Sequence, residues 1–210
     1  MAVADPAGSE ATVEHCLFGR FPFLTTRLPQ PLARQAEASF DKVWALHPAA
    51  FYQMRQPGTG ATIPVPRWQQ AYGRDYRYSG NVNRALPVPA IIEPYLSWAR
   101  AAVDARLNGY LLNWYDAGLS HRIGAHRDST AGLVEGSPIV TISLGAARVF
   151  RLWPAQDTGA QDRGHVDFEA AHGSVFVLPW ETNRSVKHGV PHRASDTGRR
   201  ISITLRAFAA

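Results

Sequence analysis

Arg200-Ile201-Ser202-Ile203-Thr204-Leu205-Arg206-Ala207-Phe208 alternates polar and apolar side chains with period 2. In a β-strand that period puts Arg200, Ser202, Thr204, Arg206 and Phe208 on one face and Ile201, Ile203, Leu205 and Ala207 on the other. Working back from this segment, short β-like stretches recur: Gly109–Tyr115, Ser137–Leu144, Ala147–Trp153, His165–Glu169, Ser174–Pro179 and Val186–His188. Each is bounded by Gly, Pro, Asp or Asn. The N-terminal half reads differently. Residues 31–46 form an amphipathic helix with Leu32, Ala36, Phe40, Val43 and Trp44 on one face and Pro31 at its first position. Residues 48–68 read as strand and loop, and 89–107 as a second helix with Ile91, Ile92, Tyr95, Trp98, Ala99, Ala102 and Val103 as its stripe. Helices followed by many short strands predict an α+β, mainly β architecture: a sandwich or jelly roll buttressed by N-terminal helices. Residues 1–14 are small and polar and are expected to be unordered, leaving 15–210 as a single domain.

The bulk numbers agree with that domain. The chain has 210 residues, 45% hydrophobic and 19% charged, ordinary values for a globular protein. No apolar run reaches membrane-spanning length, and the opening residues lack a basic n-region and an apolar h-region, so neither a membrane span nor a secretory signal is expected. Cys16 is the only cysteine, which excludes an internal disulfide and fits a reducing, cytoplasmic setting. The formal net charge is +5 and the pI about 9.7, and a basic surface attracts polyanions. Lys42 and Lys187 are the only lysines among 22 basic residues. That arginine bias also follows from a GC-rich genome, so charge alone leaves nucleic-acid affinity open.

Chemistry enters at His126-Arg127-Asp128. In a strand-like H-x-D the His and Asp point to the same side and can reach one ion. A third ligand from elsewhere completes a two-His, one-carboxylate set, which occupies one face of an octahedral metal and leaves the other open, as suits non-haem Fe(II) binding a cosubstrate and O₂ together. By itself an H-x-D is as often a polar turn. The third ligand on sequence grounds is His188, in a strand-like stretch, or His192, after a Pro. The period-2 strand adds Arg200 and Arg206, roughly 20 Å apart along the strand, whose extended side chains could reach toward each other and clamp a small dicarboxylate. Asn113 and Tyr115 share a face and offer an amide and a phenol for the same purpose.

As a set, these motifs resemble the AlkB family of Fe(II)/2-oxoglutarate-dependent dioxygenases, which act on alkylated nucleic acid bases. The resemblance rests on Asn113-Trp-Tyr115, His121-Arg-Ile-Gly-Ala-His126-Arg-Asp128, Ser137 to Gly145, Thr182-Asn183 through His188-Gly-Val-Pro191, and Arg200 to Arg206. Val65 to Gly73 and Tyr76-Arg-Tyr-Ser-Gly80 match its substrate side. It implies the double-stranded β-helix (jelly roll) fold, with Fe(II), 2-oxoglutarate and O₂ as cofactors. His126, Asp128 and His188 would be the metal ligands, the step from His188 to Arg200 deciding against His192, and no catalytic side chain is expected beyond them. Arg200 would meet the distal carboxylate of 2-oxoglutarate, with Arg206, Asn113, Tyr115 and Thr204 completing that pocket. Tyr76, Tyr78, Ser129 and Thr130 would face the substrate, Tyr78 stacking on a flipped base. The implied activity is oxidative demethylation of N-alkylated bases in DNA repair. The partner would be alkylated DNA, single-stranded or duplex, or RNA, and the protein a monomer.

Two departures bear on the substrate. The family places one or two acids after the Asp of H-x-D, where this chain has Ser129-Thr130, and hydroxyls favour a cationic base less than carboxylates do. Ser202 replaces an Asn common between the two arginines. The rival enzyme reading is an AlkB-like hydroxylase acting on RNA, a protein side chain or a small metabolite. A jelly-roll binding module with structural His and Asp would have to treat five spaced motifs as coincidence.

Overall fold

The structure is a computed structural model that describes residues 11–56, 58–78, 80–154 and 164–209. In chain order its elements are β1 (Val13–Leu17), β2 (Phe21–Arg27), α1 (Gln30–Ala38), α2 (Phe40–Trp44), β3 (Gln53–Arg55), β4 (Thr62–Pro64), β5 (Trp68–Tyr72), β6 (Tyr76–Tyr78), β7 (Asn81–Asn83), α3 (Glu93–Ala102), β8 (Gly109–Asp116), β9 (Ile123–His126), β10 (Ile139–Gly145), β11 (Arg148–Pro154), β12 (Val166–Ala170), β13 (Ser174–Leu178), α4 (Trp180–Ser185), β14 (Val186–Val190) and β15 (Arg199–Arg206). A large sheet in the order β1-β2-β13-β10-β15-β8-β5 faces a smaller one in the order β12-β11-β14-β9, and β3-β4 and β6-β7 form two small hairpins. Every strand pairing within these sheets is antiparallel.

Apolar side chains fill two layers. One lies between the large sheet and the helices, where Ala36, Val43 and Trp44 of α1 and α2 and Tyr95 and Ala99 of α3 meet Leu112, Trp114, Ile142, Ile201, Ile203 and Leu205. The indole Nε1 of Trp114 donates to the Val43 carbonyl at 3.1 Å and pins α2 to the sheet. The other layer lies between the two sheets, with Phe23, Ile139, Phe150, Leu152, Phe176 and Leu178. β15 therefore has both faces covered. Its polar face is buried with its apolar one: Arg200 is fully buried, and Ser202, Thr204 and Arg206 nearly so. The polar face of the alternation thus lies inside the sandwich rather than in solvent.

The predicted helices are shorter than their patterns. The segment 31–46 breaks at Ser39, whose hydroxyl donates to the Gln35 carbonyl at 2.7 Å and caps α1 before α2 starts. Local side-chain bonding of this kind competes with helix continuation. The segment 89–107 opens with a 3₁₀ turn over Ala90–Ile92, and α3 stops at Ala102, after which Asp104 accepts from the backbone N–H of Arg106. The tail expected to be unordered over 1–14 lies outside the described residues up to 10, but β1 begins at Val13, inside it. Among the described residues no helix is long and apolar enough to cross a membrane.

Ile203 and Trp114 anchor the helix layer to the sheet. Ile203→Ala is expected to cost about 2–5 kcal/mol through transfer and cavity effects. Trp114→Phe should cost about 1 kcal/mol for the lost hydrogen bond, plus the packing of the smaller ring. Chemical denaturation of the variants checks both values.

Candidate metal and cosubstrate site

A cavity of about 520 Å³ opens between the two sheets. One wall is the inward face of β8 and β15, and the other is β9 and β14. β9 and β14 pair so that His126 sits directly across from His188, and their ring centroids are 4.4 Å apart. Asp128 follows two residues beyond the end of β9. Its backbone is gripped by Asn183 of α4: the Asp128 N–H donates to Asn183 Oδ1 and Asn183 Nδ2 donates to the Asp128 carbonyl, both at 3.0 Å. The Asp128 carboxylate is thereby brought to the two imidazoles. Its Oδ1 lies 3.4 Å from His126 Nε2 and 3.7 Å from His188 Nε2, and one ligand atom from each residue falls within 4.8 Å of the others.

The electronic state of this trio suits a metal. His126 Nδ1 sits 2.9 Å from the Gly124 carbonyl, a contact that requires Nδ1 to donate and turns Nε2 toward Asp128. Burial, helped by the neighbouring His126, pushes His188 down to about 3, so its imidazole is neutral at ordinary pH. Burial pushes the Asp128 carboxyl up, but Arg206, His126 and His188 outweigh it and hold the group well below the usual carboxylate range. The site thus offers the neutral His188 imidazole, the Nε2 side of the His126 ring and an ionised carboxylate. His192 lies apart, 4.0 Å from Asp196 in the loop before β15.

Backbone packing leaves no slack here. A Cβ on Gly189 would come within 2.7 Å of the Ile123 carbonyl oxygen and 2.9 Å of that of Gly124, so only glycine lets β14 approach β9 closely enough to pair the two histidines. Gly189→Ala is expected to spread the strands and weaken Fe(II) or Co(II) binding at least tenfold, about 1.4 kcal/mol. His188→Ala should abolish that binding and His192→Ala should leave it near wild type, as read by metal titration.

The two arginines of β15 do different things. Arg206 Nε and Nη2 both donate to Asp128 Oδ2, and its guanidinium lies 4.4 Å from the centroid of the Tyr76 ring. The clamp expected from the alternation, with both arginines reaching toward each other, is not formed, because the nearest buried anion to Arg206 is Asp128 itself. Arg200 sits 5.1 Å from the centroid of the Tyr115 ring and donates through Nη2 to Ser143 Oγ at 2.9 Å. Its Nε and Nη1 have no hydrogen-bond partner among the described residues. Buried donors are nearly always satisfied, so this fully buried guanidinium is a ready cradle for a carboxylate. Thr204 lines the same wall, as do Thr141 and Ser202, which line the cavity without having been singled out for this pocket on sequence.

The far wall carries a polar chain that crosses three strands. Arg67 Nε donates to Asn113 Oδ1 at 2.7 Å, Arg67 Nη2 to Gln69 Oε1 at 3.1 Å, and Gln69 Nε2 to the Tyr78 hydroxyl at 2.9 Å. Asn113 is thus engaged by Arg67. Tyr78 is half-buried and stacks on Tyr76 at 5.2 Å between centroids. Tyr76 is buried and donates its hydroxyl to Asp128 Oδ1 at 3.3 Å, and burial together with that carboxylate pushes its phenol up. Its ring therefore backs the metal ligand, behind Tyr78. Ser129 lines the cavity. Thr130, expected beside it, does not: the chain turns there, and its carbonyl accepts from the Leu133 N–H at 3.1 Å. Arg67 and Gln69 stood within the quoted Val65 to Gly73 stretch without being singled out, since nothing local marks them as partners of Asn113 and Tyr78.

An oxygenase that uses a 2-oxo acid needs both halves of this cavity, a metal face and a buried cation. Residues 23–206 match the 2OG-Fe(II) oxygenase superfamily. DNA oxidative demethylase ALKBH2 of Mus musculus is 32% identical over 148 residues, which cover 68% of this chain and 62% of that protein. For ALKBH2 of Homo sapiens the identity is also 32%, over 56% of its length, so the chain spans about three-fifths or less of the length of the curated relatives it matches. The solved structure of OsALKBH1 superimposes with a TM-score of 0.55, over 92% of this chain and 99% of that one, at 15% identity, a likeness of fold. The chain belongs to the AlkB family of the 2OG-Fe(II) oxygenase superfamily. Fe(II), 2-oxoglutarate and O₂ are accordingly its cofactors, and the trio of two imidazoles and a carboxylate fits that metal.

Proposed function

We propose that this protein oxidatively demethylates N-alkylated nucleic acid bases, in DNA alkylation repair. The observation that carries the reading is the join of the metal-ligand trio to a wall of stacked tyrosines in one basic cavity, in a chain whose relatives are DNA oxidative demethylases. His126, Asp128 and His188 hold the iron. Arg200, through its open Nε and Nη1, binds the distal carboxylate of 2-oxoglutarate, with Tyr115, Thr204 and Asn113 around it. Arg206 keeps Asp128 ionised and in place.

Bound iron with 2-oxoglutarate and O₂ supplies hydroxylation of a C–H bond: one oxygen atom ends in succinate as CO₂ leaves, and the other reaches the methyl carbon. The resulting N-hydroxymethyl group collapses to formaldehyde and the free base. The protein's part is to position the base and exclude water. A base extruded into the cavity would stack on Tyr78, which Tyr76 backs. The strand bearing it is alkylated DNA, single-stranded in preference because extrusion then costs less. A monomer acting in the cytoplasm is the simplest setting, consistent with a lone cysteine that is free and exposed.

Succinate and formaldehyde release from methylated single-stranded DNA, duplex DNA and RNA tests the reading. Succinate without formaldehyde from any nucleic acid would transfer the function to a non-nucleic-acid substrate. Arg200→Leu is expected to raise the 2-oxoglutarate KM by roughly ten- to hundred-fold, the equivalent of about 1.5–3 kcal/mol for a charge-assisted bond. An unchanged KM removes that contact. Tyr78→Ala should cost about 1–3 kcal/mol in kcat/KM on methylated single-stranded DNA while sparing substrate-free turnover of 2-oxoglutarate, and Tyr78→Phe should recover most of the loss.

A further inference from the structure

We infer that the target base taken by this cavity is electrically neutral and presents carbonyl oxygens, as do bases methylated on a ring nitrogen beside a keto group, and that cationic methylated bases are poor substrates. The inference rests on the demethylase reading and specifies its substrate class.

The first support is the charge inventory. Among the described residues that line the cavity there are four guanidinium groups, Arg67, Arg127, Arg200 and Arg206, and one carboxylate, Asp128. That carboxylate is consumed by Arg206. Fe(II) and the 2-oxoglutarate dianion cancel in formal charge, so the loaded site keeps its positive excess. A cationic base would enter against it with no free acid to meet it, and in a cavity of low dielectric the repulsion is stronger than in water. Position 129, which does line the cavity, carries a hydroxyl.

The second support is the polarity of the hydrogen-bonding wall. Gln69 is used at both ends, its oxygen accepting from Arg67 and its nitrogen donating to Tyr78. Asn113 Oδ1 is likewise used by Arg67. The Tyr78 oxygen accepts from Gln69, which leaves its own O–H to donate. The wall therefore turns its acceptors inward and offers donors, the Tyr78 hydroxyl and the positive Arg67 that Asn113 and Gln69 hold in place. Carbonyl oxygens complement such a wall, and the exocyclic amino group of a protonated base does not.

A matched pair isolates the charge. 3-Methylcytosine is protonated at neutral pH; 3-methyluracil has nearly the same shape, no charge, and a carbonyl in place of the amino group. In otherwise identical single-stranded DNA, formaldehyde release should favour 3-methyluracil by about tenfold or more in kcat/KM. The same order should appear in the affinity of the metal-free protein for the two oligonucleotides. Ser129→Asp should bring the ratio close to one by raising the use of 3-methylcytosine. Equal or better turnover or binding of 3-methylcytosine by the wild-type protein overturns the inference and leaves the demethylase reading standing. Formaldehyde from neither oligonucleotide, with formaldehyde still released from other methylated nucleic acids, also overturns the inference alone. Formaldehyde from no nucleic acid at all removes the demethylase reading and the inference with it.

Discussion

The buried ion pair between Asp128 and Arg206 joins the two sheets at the place where chemistry is expected. Arg206 ends β15 in the large sheet, and Asp128 follows β9 in the small one; both side chains are 3% exposed. Desolvating two charges is costly, and a pair of this kind holds only with good geometry and further bonds on the remaining polar atoms. Most of those bonds are present, and in the pair only Arg206 Nη1 lacks a hydrogen-bond partner among the described residues. Two guanidinium nitrogens meet one carboxylate oxygen, the other oxygen takes the Tyr76 hydroxyl, and the Tyr76 ring covers the guanidinium. Removing either partner would strand a buried charge, at about 3–5 kcal/mol. The carboxylate is therefore fixed, ionised and aimed before any metal arrives.

What surrounds this pair follows from how the sandwich distributes its side chains. β15 and β8 each give one face to the helix layer and the other to the space between sheets. Near β13 and β11 that space is filled by phenylalanines; near β9 and β14 it is lined by polar groups and stays open. Close backbone contact at Gly189 and the Asn183 grip on Asp128 then place the three metal-facing groups to within a few ångströms without a ligand. Local stability and site geometry are the same contacts. The helices matter at one remove: α1 to α3 cover the opposite face of β8 and β15 and keep those strands from exposing their apolar side.

Much of this was legible in the sequence because it is local. Period 2 in Arg200 to Arg206 and H-x-D at 126–128 are patterns over a few residues, and strand identity after Gly109 follows from apolar runs bounded by turn formers. What escaped is what only the fold brings together. β1 and β2 were not read as strands: Val13-Glu14-His15-Cys16-Leu17 does not alternate cleanly, and it forms an edge with few buried side chains. The Arg67 to Asn113 bond spans 46 positions and gives no local signal. Thr130 looked equivalent to Ser129 because sequence adjacency cannot show where the chain turns away. Burial of the polar face of β15 was not legible either, because alternation reports that two faces differ and does not say which of them meets water.

The contrast between the two arginines gives the last step. They lie on one face of one strand, roughly 20 Å apart by strand rise, and both are buried. Arg206 spends Nε and Nη2 on a carboxylate of the same chain and keeps only Nη1 without a partner among the described residues. Arg200 has a single side-chain bond, to Ser143, and two nitrogens without a partner among the described residues. Burial alone lowers its basicity, with the nearby Arg148 adding to the effect, and the Tyr115 phenol only partly opposes them. A folded chain that cared only for stability would replace such a group or pair it, since each unsatisfied buried donor costs about 1–3 kcal/mol. Leaving it open at the end of the cavity away from the Asp128–Arg206 pair stores that cost until an anion arrives, and so gives a small dicarboxylate one fixed place to put its free end. One strand thereby sets both ends of the reaction site, the cation that is used up by the protein and the cation that is held for the ligand.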